Sequence, residues 1–133
     1  MKVYVFGNED VVFDNNALIV ADKLKGKIKN MEFIVVKPNE DLPFADEKDV
    51  VILDTVEGIG TATVFGNKDL DELVFTKSLT VHDFDLSFQL KYLKKIGKLN
   101  KVTVVGLPAR EKPDHLRIQS ILRKLVAQDM QGS

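Results

Sequence analysis

The chain has 133 residues, 44% of them hydrophobic and 29% charged, with a net charge of −1. That length holds one domain with a real core and is short for two, so residues 1–133 are expected to form a single domain. The charge balance sets up no strong field, so nucleic acid and an anionic membrane surface are not expected partners. There is no cysteine, which excludes a thiol nucleophile, a zinc ribbon and disulfides and fits a reducing cytoplasm. No apolar run approaches the roughly 18 residues of a membrane span.

In chain order, Met1-Lys-Val-Tyr-Val-Phe6 reads as a strand rather than a signal peptide, with Lys2–Phe6 as its body and Gly7-Asn8 closing it. A polar loop follows, carrying Glu9, Asp10 and Asp14 around the apolar Val11-Val-Phe13. Ala17, Leu18, Ala21 and Leu24 fall on one face of a helix that Gly26 is expected to end. Glu32–Lys37 is a second strand, stopped by Pro38. Val50-Val-Ile-Leu53 is a run of apolar, mostly β-branched residues, the pattern of a buried strand in a parallel sheet, and it runs into Asp54. The third strand is therefore expected over Asp49–Asp54. Gly58 and Gly60 predict a turn, and Thr61–Phe65 a fourth strand, antiparallel because the connection is so short. Leu73–Phe75 is at most a short strand. Thr80-Val-His-Asp83 has the spacing of a capping box, and Leu86, Leu90 and Leu93 share one face of the helix after it, which ends near Gly97. Lys101–Gly106 is another buried strand, Pro108–Pro113 a loop, and Ile118, Ile121, Leu122 and Leu125 line one face of a final helix. Alternating strands and helices predict an α/β fold, a three-layer α/β/α sandwich around a mostly parallel twisted sheet.

In an open α/β sheet, ligands bind beyond the carboxyl ends of the strands. Three polar places are expected there: the loop after the first strand with Glu9, Asp10 and Asp14, Asp54 at the end of the third strand, and His82 near the start of a helix. Two carboxylates and an imidazole form a ligand set for a divalent transition metal, with coordination positions left for substrate or water. A helix N-terminus favours the neutral imidazole that a metal requires. Each residue also has a local role open to it. Asp54 could be a helix or turn cap, Asp14 the N-cap of the helix that follows it, and His82 a surface residue of a first helical turn. His115, after Pro113-Asp114, reads as a helix-start residue. Lys91, Lys94, Lys95 and Lys98 form a solvated helix face with no aromatic platform for nucleic acid. Gly58-Ile-Gly60 opens no helix and lacks the third glycine of a dinucleotide fingerprint.

Taken together, these stretches resemble the hydrogenase maturation endopeptidases. The opening strand with Gly7-Asn8, then Asp14, then an amphipathic helix is similar to the start of that family. Val51-Ile-Leu-Asp54-Thr-Val56 resembles its second motif, Leu79-Thr-Val-His82 with the following helix Asp83–Ile96 its third, and Lys101-Val-Thr-Val-Val-Gly106 its final strand. The resemblance runs roughly from Met1 to Ala127. It implies an aspartyl-type endopeptidase that recognises nickel already placed in the large-subunit precursor of a nickel–iron hydrogenase and removes the precursor's C-terminal extension. It also implies that Asp14, Asp54 and His82 contact that nickel, which the precursor carries, and that the protein works in the cytoplasm.

The chain differs from the family pattern in two places. Phe13 stands where a first acidic residue is usual, and Val36-Lys-Pro-Asn-Glu-Asp-Leu42 replaces a glycine-rich turn. Those differences motivate one alternative, a non-catalytic relative acting as a chaperone or metal-sensing adaptor. A second alternative is a receiver-like phosphoacceptor domain, with Asp54 as acceptor and Thr80 and Lys112-Pro113 as its partners. Against that reading, Gly7-Asn8 intervenes where acidic residues should follow the first strand, and His82 has no role.

Overall fold

The computed structural model describes residues 1–6, 15–36, 47, 49–56, 58–66 and 101–131. These form, in order, β1 (Lys2–Phe6), α1 (Asn16–Leu24), β2 (Glu32–Val36), β3 (Asp49–Val56), β4 (Thr63–Phe65), β5 (Lys101–Pro108) and α2 (His115–Gln131). The strands make one sheet in the order β2-β1-β3-β5-β4. β2, β1, β3 and β5 run parallel, and β4 pairs antiparallel with β5. This is the α/β fold with a mostly parallel sheet that the alternation of elements predicts.

The apolar runs of β1, β3 and β5 are continuous because both faces of the sheet are buried. On one face, Val3, Val5, Leu53, Val105 and Leu107 pack with Ala17, Val20, Ala21 and Leu24 of α1 and Ile118, Leu122 and Val126 of α2. On the other, Tyr4, Phe6, Ile52, Val56, Phe65 and Val104 form a second buried cluster. Tyr4 lies within it, and its hydroxyl donates to Glu47 Oε1 at 2.6 Å. Burial, then the neighbouring Glu47 carboxylate, pushes that phenol's ionisation far up, so it stays neutral. Both described helices cover the first face. The helix expected over Asp83–Ile96 and the strand at Leu73–Phe75 lie outside the described residues.

Several boundaries differ from the sequence expectation. β3 does not stop at Asp54 but runs to Val56, because Thr55 and Val56 still find partners in Leu107 and Pro108 of β5. β5 itself passes Gly106 for the same reason. β4 is shorter than Thr61–Phe65, and its partner is β5, so among the described residues it stands at the sheet edge. In α1 the buried stripe includes Val20, fully enclosed, while Leu18 is only partly buried. In α2, Ile118 and Leu122 are enclosed and Val126 nearly so, while Ile121 and Leu125 pack at the margin.

The helix ends have clear local causes. After Leu24 the chain makes a type II turn: Lys25 sits at φ −55°, ψ 125°, Gly26 at φ +75°. The Lys27 N–H closes the turn on Leu24 O at 3.0 Å. Gly26 thus ends α1 as expected, by supplying the positive φ of the turn's third position. At the start of α2 the Asp114 Oδ1 accepts the Arg117 N–H at 3.1 Å, an N-cap bond. Asp114→Ala should therefore lower unfolding stability by about 1 kcal/mol, read as a shift of the urea midpoint with an unchanged slope.

Candidate functional site

The sheet order places a topological switch between β1 and β3. From β1 the chain moves to β2 on one side, and then returns to β3 on the other. The crevice of such a fold opens over the carboxyl ends of these two strands. Asp54 stands at this rim. Leu53 is paired with Val5, so one step on places Asp54 level with Phe6, the last residue of β1. Across β3 it is in register with Gly106 of β5.

Asp54 alternates with Leu53 and so shares the sheet face of Ile52 and Val56, opposite the two described helices. It is fully buried. Its Oδ1 accepts the Thr55 N–H at 2.8 Å, and its Oδ2 is also inside. A carboxylate is rarely enclosed on an apolar sheet face without a role, since burying one costs stability. Asp54 lies within β3, two residues before its end, rather than at the strand's last position.

Asp14 and His82 lie outside the described residues. Among the described residues no three His, Asp or Glu side chains stand close enough to share a metal ion. The neighbourhood of Asp14 is nevertheless informative. The N-cap of α1 is Asn15, whose carbonyl accepts the Ile19 N–H at 3.0 Å. α1 thus begins at Asn16, and the part Asp14 plays ahead of it lies outside the described residues. Asn16 at the head of α1 donates through Nδ2 to Pro108 O at 2.7 Å and to Glu111 O at 3.1 Å. That pair of bonds fastens the segment just after Asp14 to the carboxyl end of β5.

The same rim is braced from α2. The Arg117 guanidinium donates through Nε and Nη2 to Ala62 O at 3.2 and 3.1 Å, which ties the helix to the turn before β4. Neither Asn16 nor Arg117 stands out in the sequence, because each acts on a backbone carbonyl remote along the chain. Gly106 was legible only as a strand residue. Its importance is the space it leaves: an added Cβ would lie 2.8 Å from Val56 Cγ2 and 2.9 Å from Phe65 Cε2. A signal was present in the uninterrupted continuation Leu107-Pro108 beyond it.

His115 is the first residue of α2, the helix-start position expected of it. Burial lowers its pKa, the nearby Lys23 and Lys27 add to that, and Asp114 opposes them. The folded state thus favours neutral His115. A depressed histidine pKa means that the unfolded chain binds more protons near its ordinary value of 6.5. The stabilisation is complete above that value and lost as pH falls through it. Thermal melts between pH 7.5 and 5 should show this loss, and His115→Gln should flatten that part of the profile.

An open cleft of about 550 Å³ lies at the opposite end of the sheet, between Lys2, Asp49, Lys101 and Asp129. It gathers the amino ends of the strands, where this architecture does not place its chemistry.

Comparison with known proteins supplies a context for this rim. The model of the hydrogenase maturation protease family, HycI, matches residues 36–131, more than half of the chain. Among solved structures, the chain resembles the hydrogenase maturating endopeptidase HybD from E. coli at 16% identity and a TM-score of 0.66, over 99% of this chain and 93% of that one. It resembles the [NiFe] hydrogenase maturation protease HybD from Thermococcus kodakarensis at 19% identity and a TM-score of 0.60, over 98% and 99% of the two chains. At these identities the likeness shows the fold. No curated protein matches the sequence.

Proposed function

This chain belongs to the hydrogenase maturation protease family, and from that premise we propose that it is an endopeptidase that recognises nickel in a hydrogenase large-subunit precursor and removes the precursor's C-terminal extension. The observation that carries this reading is Asp54: a fully buried carboxylate at the carboxyl rim of the switch point, level with the end of β1. Asp14, Asp54 and His82 contact the nickel, which arrives with the precursor as part of the substrate. Bound between enzyme and precursor, the ion can act as a Lewis acid on the scissile carbonyl or on a water. The chain's own part is to hold two oxygens and one nitrogen in place and to admit a partner that carries the metal. Asn16 and Arg117 serve that purpose by pinning the starts of both described helices to the rim. No helix among the described residues is long and apolar enough to cross a membrane, and the proposed setting is the cytoplasm.

The test is to incubate the protein with nickel-loaded and nickel-free large-subunit precursor and follow C-terminal trimming by mass spectrometry. Nickel-dependent trimming that Asp14→Ala or His82→Ala reduces by at least about a hundredfold is the expected result. Trimming indifferent to both substitutions would remove the proposed site. Pro38, in place of a glycine-rich turn, favours one second reading, a relative that binds the precursor without cutting it. Nickel-dependent binding with no trimming would establish that reading. The receiver-like alternative is set aside, because the observed strand order 2-1-3-5-4 ends in an antiparallel strand, unlike the 2-1-3-4-5 order of that architecture.

A further inference from the structure

Sheet edges present unpaired backbone groups, and proteins usually blunt them with lysine, proline or short strands. β4 is such a blunted edge, three residues long. β2, at the other end of the sheet, is different. It runs Glu32-Phe-Ile-Val-Val36, with no proline and no lysine. Its backbone polarity can be assigned. The Glu32 N–H donates to Met1 O at 2.9 Å, so the polar groups of Glu32 face β1. Alternation then turns those of Ile34 and Val36 towards β1 and those of Phe33 and Val35 outwards. Among the described residues nothing pairs with this outer side. The Val35 side chain is also 51% exposed.

The charge around this edge is one-sided. Between Lys23 and Val36 the chain carries Lys23, Lys25, Lys27 and Lys29 against the single acid Glu32. All four lysines are exposed, and three of them sit in the turn leading into the amino end of β2. Two outward N–H and two outward C=O groups, spaced as on a strand, are matched by an extended backbone. The cationic cluster at one end of that row is matched by a carboxylate.

We propose that the outer edge of β2 is the docking strand for the precursor's C-terminal extension, which adds antiparallel to Phe33–Val35 with its terminal carboxylate at Lys25, Lys27 and Lys29. This rests on the protease reading above. The polarity follows from charge: an antiparallel peptide with its carboxyl end at the lysines leaves β2 at the carboxyl rim, the side on which Asp54 lies. From the added strand to β3 is three strand spacings, about 14 Å, a distance that about four extended residues cross. A second copy of the chain is the weaker occupant. Pairing two five-residue edges buries far less than the roughly 1,200 Å² of a stable interface, whereas a peptide already tethered through its nickel-bearing domain needs less.

The test uses the full chain, a nickel-loaded precursor and a synthetic peptide copying that precursor's extension, prepared as free acid and as C-terminal amide. Peptide binding is read by fluorescence anisotropy and trimming by steady-state kinetics. Val35→Pro removes an outward N–H and no bond to β1. It should weaken peptide binding by roughly fivefold or more, raising KM with little change in kcat. The double substitution Lys27→Glu, Lys29→Glu changes only exposed side chains and so keeps the fold. It should abolish the preference for acid over amide that the unsubstituted chain displays.

Unchanged binding by a folded Val35→Pro, an acid preference that survives the lysine reversal, or no binding by the unsubstituted chain would each overturn the docking strand. So would a dimer in sedimentation that Val35→Pro splits, since a second copy would then hold the edge. Where Val35→Pro does not fold, the lysine pair decides. The predicted binding pattern without any trimming would overturn the protease reading and leave the docking strand standing.

Discussion

Asp54→Asn should reduce trimming of a nickel-loaded precursor by at least about a hundredfold while leaving the melting temperature equal to that of the parent chain or higher. The two halves of this expectation have different causes. The carboxylate is a proposed contact to the metal, and changes even one shell further out in metal sites cost 10–100-fold. The stability half follows from where the side chain sits. Asp54 is fully buried on the face that carries Ile52 and Val56, and an enclosed carboxylate is expensive to desolvate. Asparagine has nearly the same shape, keeps an oxygen to accept the Thr55 N–H, and carries no charge. Loss of activity at preserved or raised stability is the mark of a group retained for function. A large fall in melting temperature, with activity falling only in proportion to the folded fraction, would instead assign Asp54 to structure. Thermal melts and trimming rates on the same preparations separate the two outcomes.

Gly106→Val should lower unfolding stability by about 3 kcal/mol, and Gly106→Ala by about 1–3 kcal/mol. The argument is one of space. A Cβ at this position would stand 2.8 Å from Val56 Cγ2 and 2.9 Å from Phe65 Cε2, closer than such atoms approach in real proteins. Val56 is fully enclosed and Phe65 nearly so, so neither can swing aside into solvent. The clash also predicts a coupling. In a Val56→Ala background one of the two obstructing atoms is gone, and the penalty of Gly106→Ala should shrink, a non-additivity expected only between neighbours. Urea titrations of the four chains measure it. Strict additivity, or a Gly106→Ala protein as stable as its parent, would show that the space beside Asp54 is not filled as described. Because Gly106 is in register with Asp54, the valine variant should also lose trimming activity in its folded fraction.

The two residues illustrate what could and could not be read along the chain. Asp54 was visible because a charge terminates an apolar, β-branched run, an event with few explanations. Its depth was not visible. That depends on β5 pairing with residues 49–56 from more than fifty positions away, and no local period encodes such a partner. The same pairing carried β3 two residues beyond the charge that was expected to end it. Gly106 looked like a strand residue because the contacts that make glycine necessary come from β3 and β4. Asp14 could be read as an N-cap by spacing, and α1 begins at Asn16 with Asn15 before it. His82 was legible as a candidate metal contact from its place at the sheet's carboxyl edge, whereas Asp14 was singled out from Glu9 and Asp10 by resemblance to a family.

What the sequence determined by itself was whatever depends on near neighbours. Lys2–Phe6, Glu32–Val36 and Lys101–Gly106 are strands because their apolar, β-branched runs suit a pleated sheet. α1 and α2 are helices because their apolar residues recur at the helical period, and Gly26 and Asp114 bound them by local backbone chemistry. Only the tertiary structure decided the order of the strands, the antiparallel place of β4 beside β5, the complete burial of Asp54 and, among the described residues, the open outer side of β2. These follow from hydrogen bonds and packing between segments distant in sequence, whose selection rests on the free energy of the assembled sheet rather than on the preference of any one stretch.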